Sequence, residues 1–177
     1  MMSSDMDYII SFEKLKVGNH LFKFEITTSF FEKLTYSIIQ GGDIKVDFFL
    51  EKKETMMIGR FEMAGTVQRS CDRCNESVDV FLQVSQQVIF KFGNEISDDE
   101  NLIMIPHSDF TIDVSLIIYE LLTVALPARS IHEEGACNEE MLDLLDDYVG
   151  FDDDLGESEE NEDDNIDPRW LALKKLK

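Results

Sequence analysis

Apolar and polar residues alternate along most of the first 92 positions of this 177-residue chain. A side-chain period of two is typical of β-strands that bury one face. Residues 29–40 break the pattern and predict a short helix or turn before Gly41 and Gly42, and short apolar runs at 102–105 and 110–112 add two strand candidates. The alternation predicts four long strands: 20–27 with Phe22, Phe24 and Ile26 on one face, 43–51 with Ile44, Val46, Phe48 and Leu50, 59–70 with Phe61, Met63, Gly65 and Val67, and 78–92 with Val78, Val80, Leu82, Val84, Val88, Phe90 and Phe92.

The side-chain period changes after these strands. Asp113 can cap a helix that begins at Val114, and Pro127 ends it. Ten of the thirteen residues 114–126 are apolar, so this helix is expected to be buried against the sheet on nearly every side, with a homodimer contact as the alternative. The expected fold class is α+β: a mainly antiparallel sheet that could curl toward a barrel, packed by one apolar helix.

The charge of the chain is concentrated in one segment. Residues 138–167 hold 15 Asp and Glu and no Lys or Arg, and so account for 15 of the 21 net negative charges. We therefore expect three regions: an α+β domain at 1–137, an acidic segment at 138–167, and a C-terminal helix at 168–177 that starts at Asp167-Pro168. Because close like charges repel one another, the acidic segment is expected to be largely disordered. The apolar residues between Met141 and Phe151 favour a short amphipathic helix or an acidic binding motif, and a solvated spacer is the alternative.

Two cysteines stand in the connection between the predicted strands 59–70 and 78–92. Cys71 and Cys74 are spaced by two residues, so both thiolates can reach one tetrahedral metal ion. His132 and Cys137, which follow the apolar helix, are the candidates for the remaining two ligands. The four residues would form a Cys₃His zinc site.

Other interpretations of the cysteines stay open at this stage. A redox dithiol usually stands at the N-terminus of a helix, where its pKa is lowered, rather than between two antiparallel strands. Metal-free thiols in a turn, or a metal site that this chain has lost, are equally simple alternatives. His20 and His107 have no partner in view and are expected to be ordinary surface or strand-edge residues.

Several functional classes find little support in the sequence. It has no phosphate-binding glycine loop, dinucleotide fingerprint, nucleophile elbow or zinc-protease motif, so we expect neither an enzyme nor a small-molecule substrate. No run of 18 apolar residues predicts a membrane span, and no basic region followed by an apolar stretch predicts a secretory signal, so a cytoplasmic location is expected.

The acidity of the chain disfavours binding to bare nucleic acid. A small RNA-contacting patch could still be formed by three arginines near one end of the strands, Arg60, Arg69 and Arg73. The alternative is that these arginines serve as solubilising charges.

Three ordered motifs resemble the bacterial YceD family, the large ribosomal RNA subunit accumulation proteins. The likeness covers about residues 65–177. The motifs are a strand that runs into Cys-Asp-Arg-Cys at 65–74, an apolar helix that ends in Leu-Pro at 112–127, and an Asp-Pro-Arg-Trp opening of a terminal helix at 167–176.

The resemblance implies a non-enzymatic factor for accumulation of 23S ribosomal RNA and assembly of the large subunit. Many family members carry a cysteine-rich stretch after the Leu-Pro, whereas this chain keeps only Cys137, with His132 nearby, and continues into acidic residues. Together with the net charge, the resemblance suggests a basic ribosomal protein or another assembly factor as the direct partner, with 23S ribosomal RNA contacted indirectly. The alternative is a zinc-knuckle module whose acidic segment captures an unrelated basic protein.

Overall fold

The computed structural model describes residues 8–93 and 101–149. The chain divides into two compact units, Met1–Cys137 and Asn138–Lys177. In chain order the elements are β1 (Ile9–Ser11), β2 (Gly18–Thr27), α1 (Thr28–Glu32), β3 (Gly41–Lys52), β4 (Met56–Ser70), β5 (Ser77–Phe92), β6 (Leu102–Ile105), β7 (Thr111–Asp113), α2 (Ser115–Val124) and α3 (Glu139–Val149).

The first unit is built on a five-stranded sheet with the order β2-β3-β4-β5-β6. The neighbouring pairs β2–β3, β3–β4 and β4–β5 are antiparallel, whereas β6 runs parallel to β5. Short turns join β3 to β4 and β4 to β5, and the connection from β2 to β3 contains α1. Strands β1 and β7 form a separate antiparallel pair. The α+β class and the mainly antiparallel sheet are confirmed. Within residues 8–93 and 101–149 no pairing joins β2 to β6, so the sheet is not closed and the possible barrel is not confirmed.

The core lies on the sheet face that the alternating pattern predicts. The ring of Phe48 on β3 stacks on the ring of Phe61 on β4, with the centroids 4.2 Å apart. Gly59 allows the rings of Phe48 and Phe90 to pack against the backbone of β4, because a Cβ atom built on it would lie 2.6 Å from Phe48 and 2.9 Å from Phe90. Helix α1 adds the buried Phe30 and Phe31. Burial of these large apolar side chains is the main stabilising contribution of the sheet.

Two neighbouring glycines begin β3 and lie close to the adjacent strand. Gly41 and Gly42 lie inside β3, opposite Gln68 and Val67 of β4. A Cβ atom on Gly42 would lie 2.6 Å from the carbonyl oxygen of Thr66. Glycine here therefore allows close approach of two strands, a second common reason for glycine in a strand pattern. The short helix expected before them is α1.

Helix α2 packs on the core through one face only. Ile117, Ile118 and Leu122 are buried, whereas Leu116 is 57% exposed and Val124 is 84% exposed. The expectation of burial on nearly every side was wrong, because only one side of this helix faces the sheet. The predicted role of Asp113 at the start of the helix is supported by its carboxylate, which accepts a hydrogen bond from the Ser115 N–H at 2.9 Å.

The second unit begins with helix α3, which combines acidic residues with apolar ones. This helix agrees with the amphipathic alternative for the first part of the acidic segment. The rest of that segment and the predicted C-terminal helix lie outside the described residues. No helix in the described part of the chain has the length and apolar character that a membrane crossing requires.

Candidate metal centre

The turn between β4 and β5 places two thiols side by side. Its backbone is closed by two hydrogen bonds, from the Cys71 N–H to the Glu76 carbonyl at 2.7 Å and from the Asn75 N–H to the Cys71 carbonyl at 2.9 Å. Asn75 has a φ of 60°, a left-handed conformation that asparagine tolerates better than most residues. Cys71 and Cys74 are both buried at this turn. The cysteine pair therefore stands at a hairpin tip, as the sequence predicts.

The chain after α2 returns to the same hairpin tip. Pro127 follows the last turn of the helix, and His132 and Cys137 then lie beside the two hairpin cysteines. A tight turn between the two residues, with the Ala136 N–H donating to the Glu133 carbonyl and Gly135 at a φ of 80°, directs Cys137 back toward the cluster. The structure thus brings together all four of the predicted ligand residues.

The distances within the cluster suit one tetrahedral ion. The three Sγ atoms and the histidine nitrogen all lie within 4.8 Å of one another. The Sγ atoms of Cys71 and Cys137 are 3.9 Å apart, and the Nδ1 atom of His132 is 3.4 Å from Cys74 Sγ and 3.8 Å from Cys137 Sγ. A tetrahedral zinc site with Zn–S bonds of about 2.3 Å has edges of about 3.8 Å. The donor set and its spacing therefore fit zinc.

The orientation of His132 is set by a group outside the ligand set. Its Nε2–H donates to the Ser77 carbonyl oxygen at 3.0 Å. Since a carbonyl only accepts, the proton of the neutral ring lies on Nε2, and the lone pair of Nδ1 faces the thiols. A backbone carbonyl behind the second nitrogen is a common arrangement for metal-binding histidines.

The cysteines differ in their acidity. Burial raises the pKa of Cys71, but hydrogen bonds from the backbone of Cys74, Arg73 and His132 outweigh it and lower the pKa to about 6. Burial raises the pKa of Cys137. The hydrogen bond to Ser77, with a smaller contribution from the neighbouring thiols, raises the pKa of His132. Backbone N–H groups thus favour a thiolate at Cys71, the form that a metal requires.

A residue between the two hairpin cysteines joins the ligand-bearing segments. The Asp72 N–H donates to the Ser130 carbonyl at 2.8 Å, and the Ser130 N–H donates to the Asp72 carboxylate at 2.6 Å. The same carboxylate accepts a hydrogen bond from Arg69 at 3.1 Å. This role of Asp72 and Ser130 was not predicted from the sequence. A short acidic side chain in a turn was the available signal, because such residues often bond nearby backbone N–H groups.

Arg60 and Arg69 do not share one patch, which agrees with the alternative of separate solubilising charges for these two residues. Arg60 and Arg69 stand nine positions apart on β4, or about 30 Å at the rise of an extended strand. Arg60 lies over the ring of Phe49 and pairs with Glu62, and Arg69 pairs with Asp72. Arg60 and Arg69 are thus neither close together nor unpaired.

A comparison with protein families identifies a match over the second part of the chain. The family model described as Large ribosomal RNA subunit accumulation protein YceD matches residues 59–177. This range includes β4 from Gly59 onward, the hairpin tip and all four residues of the metal cluster. No curated protein and no solved structure matches the chain.

Proposed function

This chain belongs to the YceD family of large ribosomal RNA subunit accumulation proteins, and we propose that it supports accumulation of 23S ribosomal RNA by binding components of the assembling large subunit. The match over two thirds of the chain carries this proposal. The cluster of Cys71, Cys74, His132 and Cys137 supports a binding role rather than catalysis, because four protein ligands leave a zinc ion no open position for a substrate.

The metal has a structural task in this proposal. Zinc would be held by three thiolates and the Nδ1 atom of His132, and it would supply a cross-link between the β4–β5 hairpin and the segment that follows α2. The Asp72–Ser130 hydrogen bonds align the same two pieces of chain. The cluster then keeps the hairpin tip in one conformation for a partner to recognise.

A basic protein is the partner that the charge distribution favours. Residues 138–167 carry 15 acids and no basic residue, so they would repel bare RNA phosphates and attract cationic surfaces. We propose that this segment holds a basic ribosomal protein or assembly factor away from non-specific RNA.

Pull-downs test this role of the acidic segment. A full-length variant with these acids replaced by Asn and Gln should recover fewer basic ribosomal proteins than the unchanged chain. Equal recovery by both chains would exclude this role of the segment.

The test of the function is deletion of the gene, with 23S RNA quantified against 16S RNA. We expect 23S RNA to fall relative to 16S RNA and to recover when the gene is restored.

A second candidate, a zinc-knuckle module for an unrelated protein partner, is favoured by the Cys₃His geometry alone. It predicts stoichiometric zinc with no change in 23S RNA, so the same deletion separates the two candidates.

A further inference from the structure

A groove lies between the outer strand β6 and the helix α2. It has a volume of about 310 Å³ and is lined by residues of β6, the loop after it, β7 and the first turns of α2. Its apolar wall includes Ile103, Ile105, Ile112 and Leu116. Leu116 is 57% exposed even though it stands beside the buried Ile117, so part of this wall is open to solvent. The groove lies in the first unit and shares no residue with the metal cluster.

The charged residues around the groove are all of one sign. Asp109, Asp113 and Glu120 line it, and no lysine, arginine or histidine is found among the described residues that do. Asp113 accepts a hydrogen bond from the Ser115 N–H, and Asp109 accepts one from the Ser108 hydroxyl at 3.1 Å. The side chains of all three acids are exposed. An apolar wall with an acidic rim is complementary to apolar side chains flanked by cations.

The edge of β6 offers backbone groups to an added strand. β6 is the last strand in the order of the sheet, so within the described residues it has a strand partner on one side only. The carbonyls of Asn101 and Ile105 bond to β5 and to Gly93, the residue that follows it. Because backbone groups along a strand point alternately to its two sides, those of Leu102 and Met104 point away from β5. An extended segment could add at this edge and place alternate side chains toward the groove.

We propose that the groove between β6 and α2 binds an extended segment of a partner protein in which apolar residues alternate with lysine or arginine. The apolar side chains occupy the groove, and the cations face Asp109 and Glu120. This inference rests on the proposed function and specifies the partner: a basic protein is recognised through a strand-like segment, in addition to its general attraction to the acidic residues 138–167.

The binding test uses a synthetic peptide and the full chain. A peptide of alternating valine and lysine is titrated into the ¹⁵N-labelled protein, with a valine–glutamate peptide, a serine–lysine peptide and a short single-stranded RNA as comparisons. We expect the valine–lysine peptide to shift the amide signals of Met104, Asp109, Leu116 and Glu120. Shifts confined to residues 138–167, equal binding of the serine–lysine peptide, or binding of the RNA at the groove would each overturn the proposal.

Two sets of variants test the groove itself. Asp109→Asn with Glu120→Gln removes the acidic rim, and Leu116→Ser removes an exposed part of the apolar wall. All three residues are exposed, so the fold should persist, as thermal unfolding will verify. Each variant is expected to weaken peptide binding about tenfold. The matched control, Glu25→Gln with Asp79→Asn, removes two exposed acids on β2 and β5 outside the groove and should bind as the unchanged chain does. Equal effects of the two double variants would contradict a specific site.

Complementation separates this inference from the function on which it rests. In cells that lack the gene, the control variant should restore 23S RNA, whereas the Asp109→Asn, Glu120→Gln chain should not. Full rescue by that chain in cells that show the deletion defect would overturn the role of the groove and leave the proposed function standing. Normal 23S RNA after deletion would instead overturn the proposed function, while the peptide titration would still decide whether the groove binds.

Discussion

Asp72 and Ser130 exchange two hydrogen bonds between the two segments that carry the candidate ligands, although 58 positions separate them in the sequence. One bond joins backbone to backbone, and the other joins the Ser130 N–H to the Asp72 carboxylate. Each residue stands close in sequence to cluster residues: Asp72 between Cys71 and Cys74, and Ser130 two positions before His132. The pair therefore aligns the two halves of the ligand set independently of the ion.

Replacing Asp72 is expected to weaken zinc binding without removing a ligand. In Asp72→Ala the Ser130 N–H and Arg69 both lose their acceptor, so the segment that carries His132 and Cys137 is held less firmly. Groups that support metal ligands in this way are worth about tenfold or more in affinity. Competition with a chelator measures the change. Asp79→Ala, at an exposed acid of β5, is the control, and equal affinities of the two variants would show that the bridge does not support the site.

Zinc removal is expected to destabilise the first unit. The protein purified without added zinc should contain one zinc ion per chain, and chelation should lower its Tm. An ion that joins positions 71 and 137 closes a long loop of chain, and closure of a loop this long restricts the unfolded state by about 4 kcal/mol, or roughly 10 °C in Tm. Elemental analysis and calorimetry test this.

Cysteine variants provide the comparison for the same experiment. Cys71→Ser and Cys137→Ser should lack zinc and resemble the chelated protein, with little further loss of Tm when a chelator is added. A cobalt-loaded chain should show the absorption of thiolate-ligated tetrahedral cobalt, and this absorption should weaken in both variants. Purified protein that contains no zinc and does not respond to the chelator would contradict the site.

Acidification is expected to release the ion. Zinc binds thiolates and neutral imidazole, so protons compete with it. The pKa of Cys137 is raised by burial, and a proton must therefore leave this thiol on metal binding even at neutral pH. The pKa of His132 is raised above its ordinary value, so the imidazole proton competes next as the pH falls. The pKa of Cys71 is about 6, so a third proton must be displaced only when the pH is lower than that. The logarithm of the zinc affinity should fall more steeply with decreasing pH below about 6 than above it. Competition titrations across this range measure the slope, and an affinity independent of pH would contradict the prediction.

Gly65 on β4 should not tolerate even a methyl group. A Cβ atom on this residue would lie 2.6 Å from the Cα of Ile44 on the neighbouring strand, and backbone atoms cannot move aside as a flexible side chain can. Gly65→Ala is therefore expected to cost about 2 kcal/mol or more of the free energy of unfolding. Urea denaturation measures it. Ala64→Ser, at the exposed neighbouring position, should change stability by less than about 0.5 kcal/mol.

The long strands could be predicted because each carries many repeats of one signal. Phe22 to Ile26 and Val78 to Phe92 alternate over enough positions to indicate both the strand and its buried face. The four-residue strand β6 was found as an apolar run, but its parallel pairing with β5 was not, because a run of apolar residues carries no information about direction. The exposed side of α2 was missed for a related reason: Leu116 and Val124 are apolar and so resemble the buried Ile118.

The ligand residues were identifiable from their chemistry, whereas their supports were not. Cysteine and histidine are rare in this chain, and so Cys71, Cys74, His132 and Cys137 could be grouped by residue type and spacing alone. Aspartate is abundant, and the place of Asp72 in a turn is a weak signal that many other acidic residues share. Its partner Ser130 is brought to it by the path of the chain after α2, and a contact across 58 positions leaves no periodic pattern in the sequence.

Strand β5 carries the Ser77 carbonyl at its first residue and Phe90, which lines the groove, near its last. Thirteen residues of extended chain span about 43 Å, several times the range over which neighbouring sites usually influence each other. The cysteine–histidine cluster and the groove therefore lie too far apart for direct contact. Substitutions that disrupt the cluster and substitutions that disrupt the groove should accordingly have additive effects.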